Sequence, residues 1–228
     1  NILSLGANTQ VRMWGSTSTT VTTDSSAGVY SQNNGGTSGL LYIYGNYTRT
    51  SGTDYWSYAT DFDGAVLGGS SRQVNVRFAA NATATYANNA ALSMIGSATA
   101  STSVDRQASG NYSLILNSAT WNAQYYQFRN TGLSGVALLG TTTITSMNNG
   151  DFSLDITGGT SLTIASTTID QNASSQIFTV KFATSSGVTS GYNVTRTGTT
   201  TSSIAFNSEY GNFSGEAYDS DGADGCGS

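Results

Sequence analysis

The chain of 228 residues has no histidine, no proline and a single cysteine, Cys226. Without histidine it cannot build a Ser-His-Asp triad, a histidine general base or a His-coordinated zinc site. One cysteine can form neither an internal disulfide nor a thiolate metal cluster. Any catalysis would therefore rest on carboxylates, or on a tyrosine or serine nucleophile with an unusual base.

Charge is also scarce, since charged residues make up only 9% of the chain and the net charge is −5. Lys181 is the only lysine, and the arginines are scattered along the sequence. No basic patch for phosphate groups is visible, so nucleic acid is not expected as a partner. No apolar run approaches the roughly 20 residues that cross a bilayer, so we predict no membrane span in this chain.

Serine, threonine, asparagine and glycine are abundant, and between them lie short runs of alternating apolar and polar residues. Typical runs are Q-V-N-V-R-F (73–78) and I-F-T-V-K-F (177–182). Most are bounded by Gly, Asn, Ser or Asp, which favour turns. The pattern predicts an all-β protein without a helix.

The inward residues of successive runs recur about every 25 residues, which is a spacing typical of repeat architectures. The predicted rungs are Phe78, Val104, Phe128, Ile156, Phe182 and Phe206. A second pair, T-T-T-I (141–144) and S-T-T-I (166–169), repeats at the same interval.

This ladder predicts a parallel β-helix, or solenoid, of ~25-residue coils in which equivalent Val, Ile and Phe side chains stack into one core. The length of the chain corresponds to about eight such coils, and right-handed crossovers are expected. The alternative is an antiparallel β-sandwich, whose strands recur about every 8–12 residues. We expect residues 1–70 to form atypical, capping coils and residues 71–228 to form the solenoid body with a C-terminal cap, in one continuous domain.

The stretch S-G-T-D-Y-W-S-Y-A-T-D-F-D-G (51–64) combines acids with large aromatic residues. One interpretation is a strand and turn that close the end of the solenoid, because Asp beside Gly favours turns. The other is a carbohydrate site, in which aromatic faces stack on sugar rings and carboxylates accept hydroxyl hydrogen bonds. Its candidate residues are Tyr55, Trp56, Tyr58, Asp61 and Asp63. A pair of these acids acting as a glycan hydrolase or lyase is a further, weaker alternative.

The C-terminal segment D-S-D-G-A-D-G (219–225) resembles half of a calcium loop, in which alternate carboxylates converge on a hard cation. Its candidate ligands are Asp219, Asp221 and Asp224. Calcium is thus the one cofactor that the sequence suggests. Four other acids are interpreted as isolated turn residues: Asp24, Asp105, Asp151 and Asp170.

Five segments together resemble the repetitive, Ser/Thr-rich secreted surface proteins of candidate-phyla (Patescibacteria-type) bacteria. They are L-Y-I-Y-G-N-Y (41–47), D-Y-W-S-Y-A-T-D-F-D-G (54–64), R-Q-V-N-V-R-F-A (72–79), Y-Y-Q-F-R-N-T (125–131) and G-N-F-S-G-E-A-Y-D-S-D-G (211–222). The resemblance implies an extracellular or cell-surface β-solenoid that is a piece of a longer polypeptide. It implies no catalytic residues.

We therefore expect an extracellular structural or adhesive surface module and not an enzyme. Its expected partners are further copies of itself, which could join into fibres through residues 1–14 or 203–218, because exposed strand edges template pairing. Glycans and the surface of a host or neighbouring cell are further candidate partners. The competing hypothesis is a carbohydrate-binding module or polysaccharide-active enzyme on a β-helix scaffold.

Overall fold

The computed structural model is a parallel β-solenoid, and the residues that it describes are mostly in strands with very little helix. The residues that it describes are 2–5, 21–22, 30–33, 38–43, 46–49, 53–55, 73–99, 101–154, 156–173, 177–183, 193–207 and 226–227. The predicted parallel β-helix is confirmed, and the antiparallel sandwich is excluded.

The first parallel sheet, here called sheet A, has seven strands. Hydrogen-bonded neighbours follow the order β1 (Ile2–Leu5), β5 (Asn46–Arg49), β8 (Thr83–Ala87), β11 (Tyr112–Asn117), β13 (Thr131–Leu139), β15 (Leu162–Ala165) and β17 (Val194–Thr197).

The second sheet, sheet B, has twelve strands. Its main path is β19 (Cys226–Gly227), β18 (Ile204–Asn207), β16 (Ile177–Ala183), β14 (Thr143–Ser153), β12 (Thr120–Arg129), β10 (Thr102–Arg106), β7 (Gln73–Phe78), β4 (Ser38–Ile43), β3 (Tyr30–Asn33) and β2 (Val21–Thr22). Beside β12 lie β9 (Ala91–Ile95) and then β6 (Thr53–Tyr55). Pairing is parallel except between β2, β3 and β4.

The number of coils is smaller than predicted, since the solenoid has about four turns and not about eight. The antiparallel strands β2 and β3 extend sheet B without adding a coil. The connection between β5 and β8 is also longer than a typical coil, since Tyr47 lies beside Ala84. Strands from residues 1–70 already belong to both sheets, and the predicted division of the chain at residue 70 stays a prediction.

The predicted ladder is correct at its centre. Val104 lies beside Phe128 in adjacent strands, one coil apart. The next inward neighbour of Phe128 is Phe152, however, and not Ile156. Ile156 is half-buried beyond the end of β14. The predicted rung at Ile156 is therefore wrong by four residues.

The two ends of the ladder show the same kind of error. Val104 lies beside Val76, not beside Phe78, and Phe206 pairs with Phe178, not with Phe182. Every displacement is an even number of residues, because side chains alternate between the two faces of a strand. The alternation of each run correctly predicts the inward face, while turns of variable length decide which inward residues become neighbours.

Aromatic rings fill the core along the solenoid axis. The rings of Phe128 and Phe152 stack with centroids 5.5 Å apart, and those of Phe152 and Phe182 follow at 5.6 Å. The rings of Phe78 and Tyr112 also stack, with centroids 4.4 Å apart and nearly parallel planes. All five side chains are buried. Stacking of successive coils thus produces the continuous internal core that a single coil cannot form.

The two copies of the second repeat, at 141–144 and 166–169, lie in successive coils, but the two threonines with matching contacts are one residue out of the predicted register. The Thr142 hydroxyl donates to the Leu116 carbonyl at 3.1 Å, and the Thr168 hydroxyl donates to the Leu138 carbonyl at 3.2 Å. Each threonine is buried and satisfies a carbonyl of the preceding coil. The second copy, however, begins a short helix, α1 (Ser166–Asn172).

Helix α1 was not predicted, because its sequence lacks a helix signal: Ala165 at the N-cap makes no side-chain capping bond. Tertiary contacts hold it in place. The buried Asn172 amide donates to the Thr142 carbonyl at 2.8 Å and accepts from the Ile144 amide at 2.8 Å. These bonds satisfy backbone groups at the start of β14, where the neighbouring coil provides no strand.

Candidate functional site

The outer face of sheet B carries a line of polar and charged side chains that runs along the solenoid. We call it the central row. Strand register places its members side by side, one from each of five successive strands. They are Asn75, Ser103, Gln127, Asp151 and Lys181.

A second line begins with Arg77 and Asp105, which are also neighbours in register. One oxygen of Asp105 accepts hydrogen bonds from the Asn130 amide at 2.8 Å and from the Arg106 backbone N–H at 2.7 Å. The other lies 4.0 Å from the Arg77 guanidinium. The carboxylate of Asp105 is therefore engaged on both sides, which is the arrangement of a structural acid.

Asp151 and Lys181 are different. They lie directly beside each other on β14 and β16, and both are half-buried. Among the residues that the structure describes, neither side chain has a hydrogen-bond or ion-pair partner. Adjacent strands lie about 4.8 Å apart, so the two residues share one part of the outer face, and their carboxylate and ammonium groups remain available to a ligand.

Next to this pair, β12 and β14 both bend. The bend falls at Tyr125 in one coil and at Asn149 in the next, where φ is +50° and +54°. Asparagine tolerates this left-handed conformation, but for a bulky residue such as tyrosine it is an outlier that costs about 1–2 kcal/mol. Gln124 pairs with Asn148 before the bend and Tyr126 pairs with Gly150 after it, so Tyr125 and Asn149 lie at equivalent positions of successive coils.

The preceding coil makes the same bend with a longer connection, between β9 and β10. Gly96 begins this connection so close to β12 that a Cβ there would lie 2.3 Å from the Tyr125 carbonyl oxygen. This connection lies directly beside the bend and forms one side of a depression in the surface. The depression has a volume of about 260 Å³. Its polar lining includes Ser101, Tyr125, Gln127, Asn149, Asp151 and Lys181.

The floor of the depression is formed by Gly150 and Tyr126, which lie side by side at inward positions. The Tyr126 hydroxyl occupies the space that a side chain at position 150 would need, since a Cβ there would lie 2.3 Å from it. That hydroxyl is buried and has no hydrogen-bond partner in the described part of the chain. Burial raises the pKa of Tyr126 well above its ordinary value, so the core stays uncharged.

Replacing Tyr126 by Phe is expected to leave the free energy of unfolding unchanged or to raise it by up to about 1 kcal/mol, because an unpaired buried hydroxyl is removed. The matched substitution is Tyr112→Phe. The Tyr112 hydroxyl donates to the Val104 carbonyl at 3.2 Å, and its loss should cost about 0.5–1.5 kcal/mol. Urea denaturation of both variants measures the difference. Equal losses would show that the Tyr126 hydroxyl has a partner.

The carbohydrate candidates of residues 55–63 are mostly outside the described residues. This holds for Trp56, Tyr58, Asp61 and Asp63, while the backbone of Tyr55 lies at the end of β6. The preceding acid, Asp54, is fully buried, and its carboxylate accepts a hydrogen bond from the Tyr86 hydroxyl at 2.9 Å. Asp54 is thus a hydrogen-bonded core residue and not part of a surface binding site.

The calcium candidates Asp219, Asp221 and Asp224 also lie outside the described residues. Within the described ranges, no group of three or more acidic, histidine or cysteine side chains could hold a metal ion.

Three acids interpreted as turn residues occupy regular elements instead. Asp105 lies in β10, Asp151 in β14 and Asp170 in α1. Asp170 accepts hydrogen bonds from Thr200 and Ser202, which lower the pKa of its carboxyl group. Asp24, the fourth, lies outside the described residues.

Sequence reasoning did not identify Tyr125, Asp151 and Lys181 as a site. A usable signal was nonetheless present. Each residue that precedes an inward Phe faces outward, so a ladder that passes through Phe152 aligns Asp151 with Lys181. The predicted ladder placed Ile156, and not Phe152, in the core and therefore did not predict this alignment.

No protein-family model, no curated protein and no solved structure matches the chain. Fold and surface therefore define the class of protein, which is a parallel β-solenoid with a polar depression on the outer face of sheet B. The described residues include no helix that is long and apolar enough to cross a membrane.

Proposed function

We propose that this chain is an extracellular structural and adhesive surface module, which joins to further copies of itself and presents its outer faces to glycans or to another cell surface. The observation that carries the proposal is the pair of sheets, mostly parallel, that share one continuous hydrophobic core. Such a body is rigid along its axis and offers extended flat faces, which suits a scaffold. The resemblance to repetitive secreted surface proteins supports the extracellular location.

The two outer faces differ in chemistry. On sheet A, a line of uncharged side chains joins five successive strands in register: Thr85, Ile115, Ala137, Thr163 and Thr195. The outer face of sheet B carries the central row and its charged neighbours. A scaffold with one neutral face and one charged face can pack on one side while it presents the other.

The ends of sheet A support head-to-tail association. Among the described strands, β1 and β17 each have one neighbour in the sheet and one open edge. An open edge presents backbone N–H and C=O groups that pair with another strand. If β17 of one copy pairs with β1 of the next, the contact is head-to-tail and does not close, so a fibre results.

The C-terminal contact predicted from the sequence, residues 203–218, is less suitable in its described part. Strand β18 already has β19 beside it at Ile204 and Ala205. We therefore place the contacting edge on β17.

Lysines on the β17 edge should block assembly, since charge on an edge strand opposes pairing. We expect the wild-type chain to form rods that lengthen with concentration, and the double variant Thr195→Lys/Thr197→Lys to remain monomeric. Analytical ultracentrifugation and negative-stain microscopy measure the two states.

The matched control is Thr83→Lys/Thr85→Lys, which makes the same changes on the same face at the interior strand β8 and should assemble like the wild type. Equal assembly of all three proteins would contradict the edge contact. A wild-type chain that is monomeric at every concentration would contradict self-association.

Adhesion is tested separately from assembly. Beads coated with the monomeric Thr195→Lys/Thr197→Lys variant should be retained on surfaces coated with polysaccharide, and albumin-coated beads should not. If neither bead is retained on any glycan or cell surface, the adhesive part of the proposal fails.

A further inference from the structure

The geometry points to the depression at Tyr125 as a binding site for one sugar unit of an acidic polysaccharide, such as a uronic acid. This inference names the ligand class of the adhesive module, and it rests on the function proposed above. Three features of the depression carry it: a strained aromatic residue, a free pair of opposite charges and a small open volume.

The strained aromatic residue is Tyr125. It adopts a φ of +50°, although the equivalent position one coil later is occupied by Asn149, a residue that tolerates this conformation. Within the described residues the Tyr125 side chain has no hydrogen bond and no ring contact, so the fold gains nothing visible from the tyrosine. Backbone strain that packing does not explain is typical of functional positions. A half-buried ring at a bend provides the apolar face on which a sugar ring stacks.

The free pair of charges is Asp151 and Lys181. A pyranose ring presents hydroxyl groups that both donate and accept hydrogen bonds, and this pair supplies a strong acceptor beside a strong donor. The amide of Gln127 lies beside Asp151 in the central row and adds a donor, while its oxygen accepts a hydrogen bond from Arg129 at 3.3 Å.

The local balance of charge favours an anionic ligand. Asp105 is paired with Arg77, which leaves, among the described residues, Arg129 and Lys181 against Asp151 on this part of the face. The chain as a whole has a net charge of −5, so this basic excess is local. A carboxylate on the sugar would pair with Lys181.

The volume of about 260 Å³ lies below the range of about 300–1,000 Å³ of pockets for drug-sized ligands, and it suits a single ring. The depression is open to the surface of sheet B. A polymer bound through one unit can therefore leave the site on either side, as adhesion to a polysaccharide requires.

Calorimetric titration with an oligomer of glucuronic acid, and with a glucose oligomer of the same length, tests the inference on the monomeric Thr195→Lys/Thr197→Lys chain. We expect the acidic oligomer to bind more tightly than the neutral one, and its affinity to fall with added salt. Lys181→Gln should weaken binding by about tenfold or more, while Lys181→Arg, which keeps the charge, should bind within a few-fold of the parent.

The ring is tested with Tyr125→Gly, because glycine accepts the positive φ and the variant should fold at least as stably as the parent. Its binding should fall by about tenfold while its urea midpoint does not fall. The charge control is Arg77→Gln, which removes a positive charge from the same sheet outside the depression. It acts only through the neighbouring Asp105 charge and should weaken binding less than Lys181→Gln does.

Three results would overturn the inference: equal affinity for the acidic and the neutral oligomer, equal losses in Arg77→Gln and Lys181→Gln, or binding of an acidic peptide as tight as that of the acidic oligomer. If coated beads adhere but the Tyr125 and Lys181 variants adhere equally well, the site is wrong and the adhesive function stands. If no bead adheres to any surface, the proposed function itself fails.

Discussion

Phe152→Ala is expected to lower the free energy of unfolding by about 3–5 kcal/mol, which is the cost of truncating a fully buried phenylalanine. Phe152 is 0% exposed and lies in the middle of the aromatic stack. Its ring stacks on Phe128 and Phe182 and meets the edge of Tyr126 at 5.8 Å. Removing it leaves a cavity between coils that are held in place by their neighbours on both sides, so little collapse can offset the loss.

Chemical denaturation followed by circular dichroism measures this effect against two controls. Ser153→Ala changes the next, outward residue of β14 and should stay within about 0.5 kcal/mol of wild type. Ile156→Ala distinguishes the predicted ladder, which passes through Ile156, from the observed ladder, which passes through Phe152. Because Ile156 is half-buried beyond the strand, this substitution should lower the free energy of unfolding less than Phe152→Ala. A larger loss at Ile156 would contradict the observed register.

Gly135→Ala is expected to cost about 2–5 kcal/mol for two separate reasons. Gly135 has a φ of +60°, where an L-residue with a Cβ is disfavoured by about 1–2 kcal/mol. A Cβ there would also lie 2.1 Å from the Ser161 carbonyl oxygen and 2.3 Å from that of Thr160. These are backbone atoms of the next coil, so relief requires the two coils to separate, at an overpacking cost of about 1–3 kcal/mol.

The matched control is Gly132→Ala in the same strand. A Cβ on Gly132 would have its nearest neighbour, the Tyr112 carbonyl oxygen, at 3.3 Å, and a small shift accommodates it. The loss of unfolding free energy should therefore be much smaller than for Gly135→Ala. Similar losses at both glycines would mean that close approach of the coils at Gly135 is not what requires glycine there.

The fold was largely predictable because its signal is local and repeated. Alternation within runs such as 73–78 and 177–182 assigns each residue to a face, and the recurrence of runs predicts stacked parallel coils. The exact neighbours were less predictable. Phe206 was assigned to Phe182 but pairs with Phe178, since turns between strands differ in length and no local pattern records which inward residue faces which.

The candidate site was hardly predictable at all. Tyr125, Asp151 and Lys181 come from three different stretches of the chain, and none of these stretches is a motif that indicates binding. They meet because the bend in β12, the register of β14 with β16 and the connection after Gly96 coincide at one place on the surface. Each of these is a property of stacked coils and not of any one coil.

The sequence by itself determined that this protein is built from short strands with apolar inner faces, because the side chains of a strand alternate between its two faces. It favoured stacked parallel strands over an antiparallel sandwich. It also excluded histidine and thiol chemistry. Only the tertiary structure decided the register between coils, the helix at 166–172 and the depression beside Tyr125. These depend on which residues of separate coils become neighbours, and that choice is made by the energy of packing the whole stack.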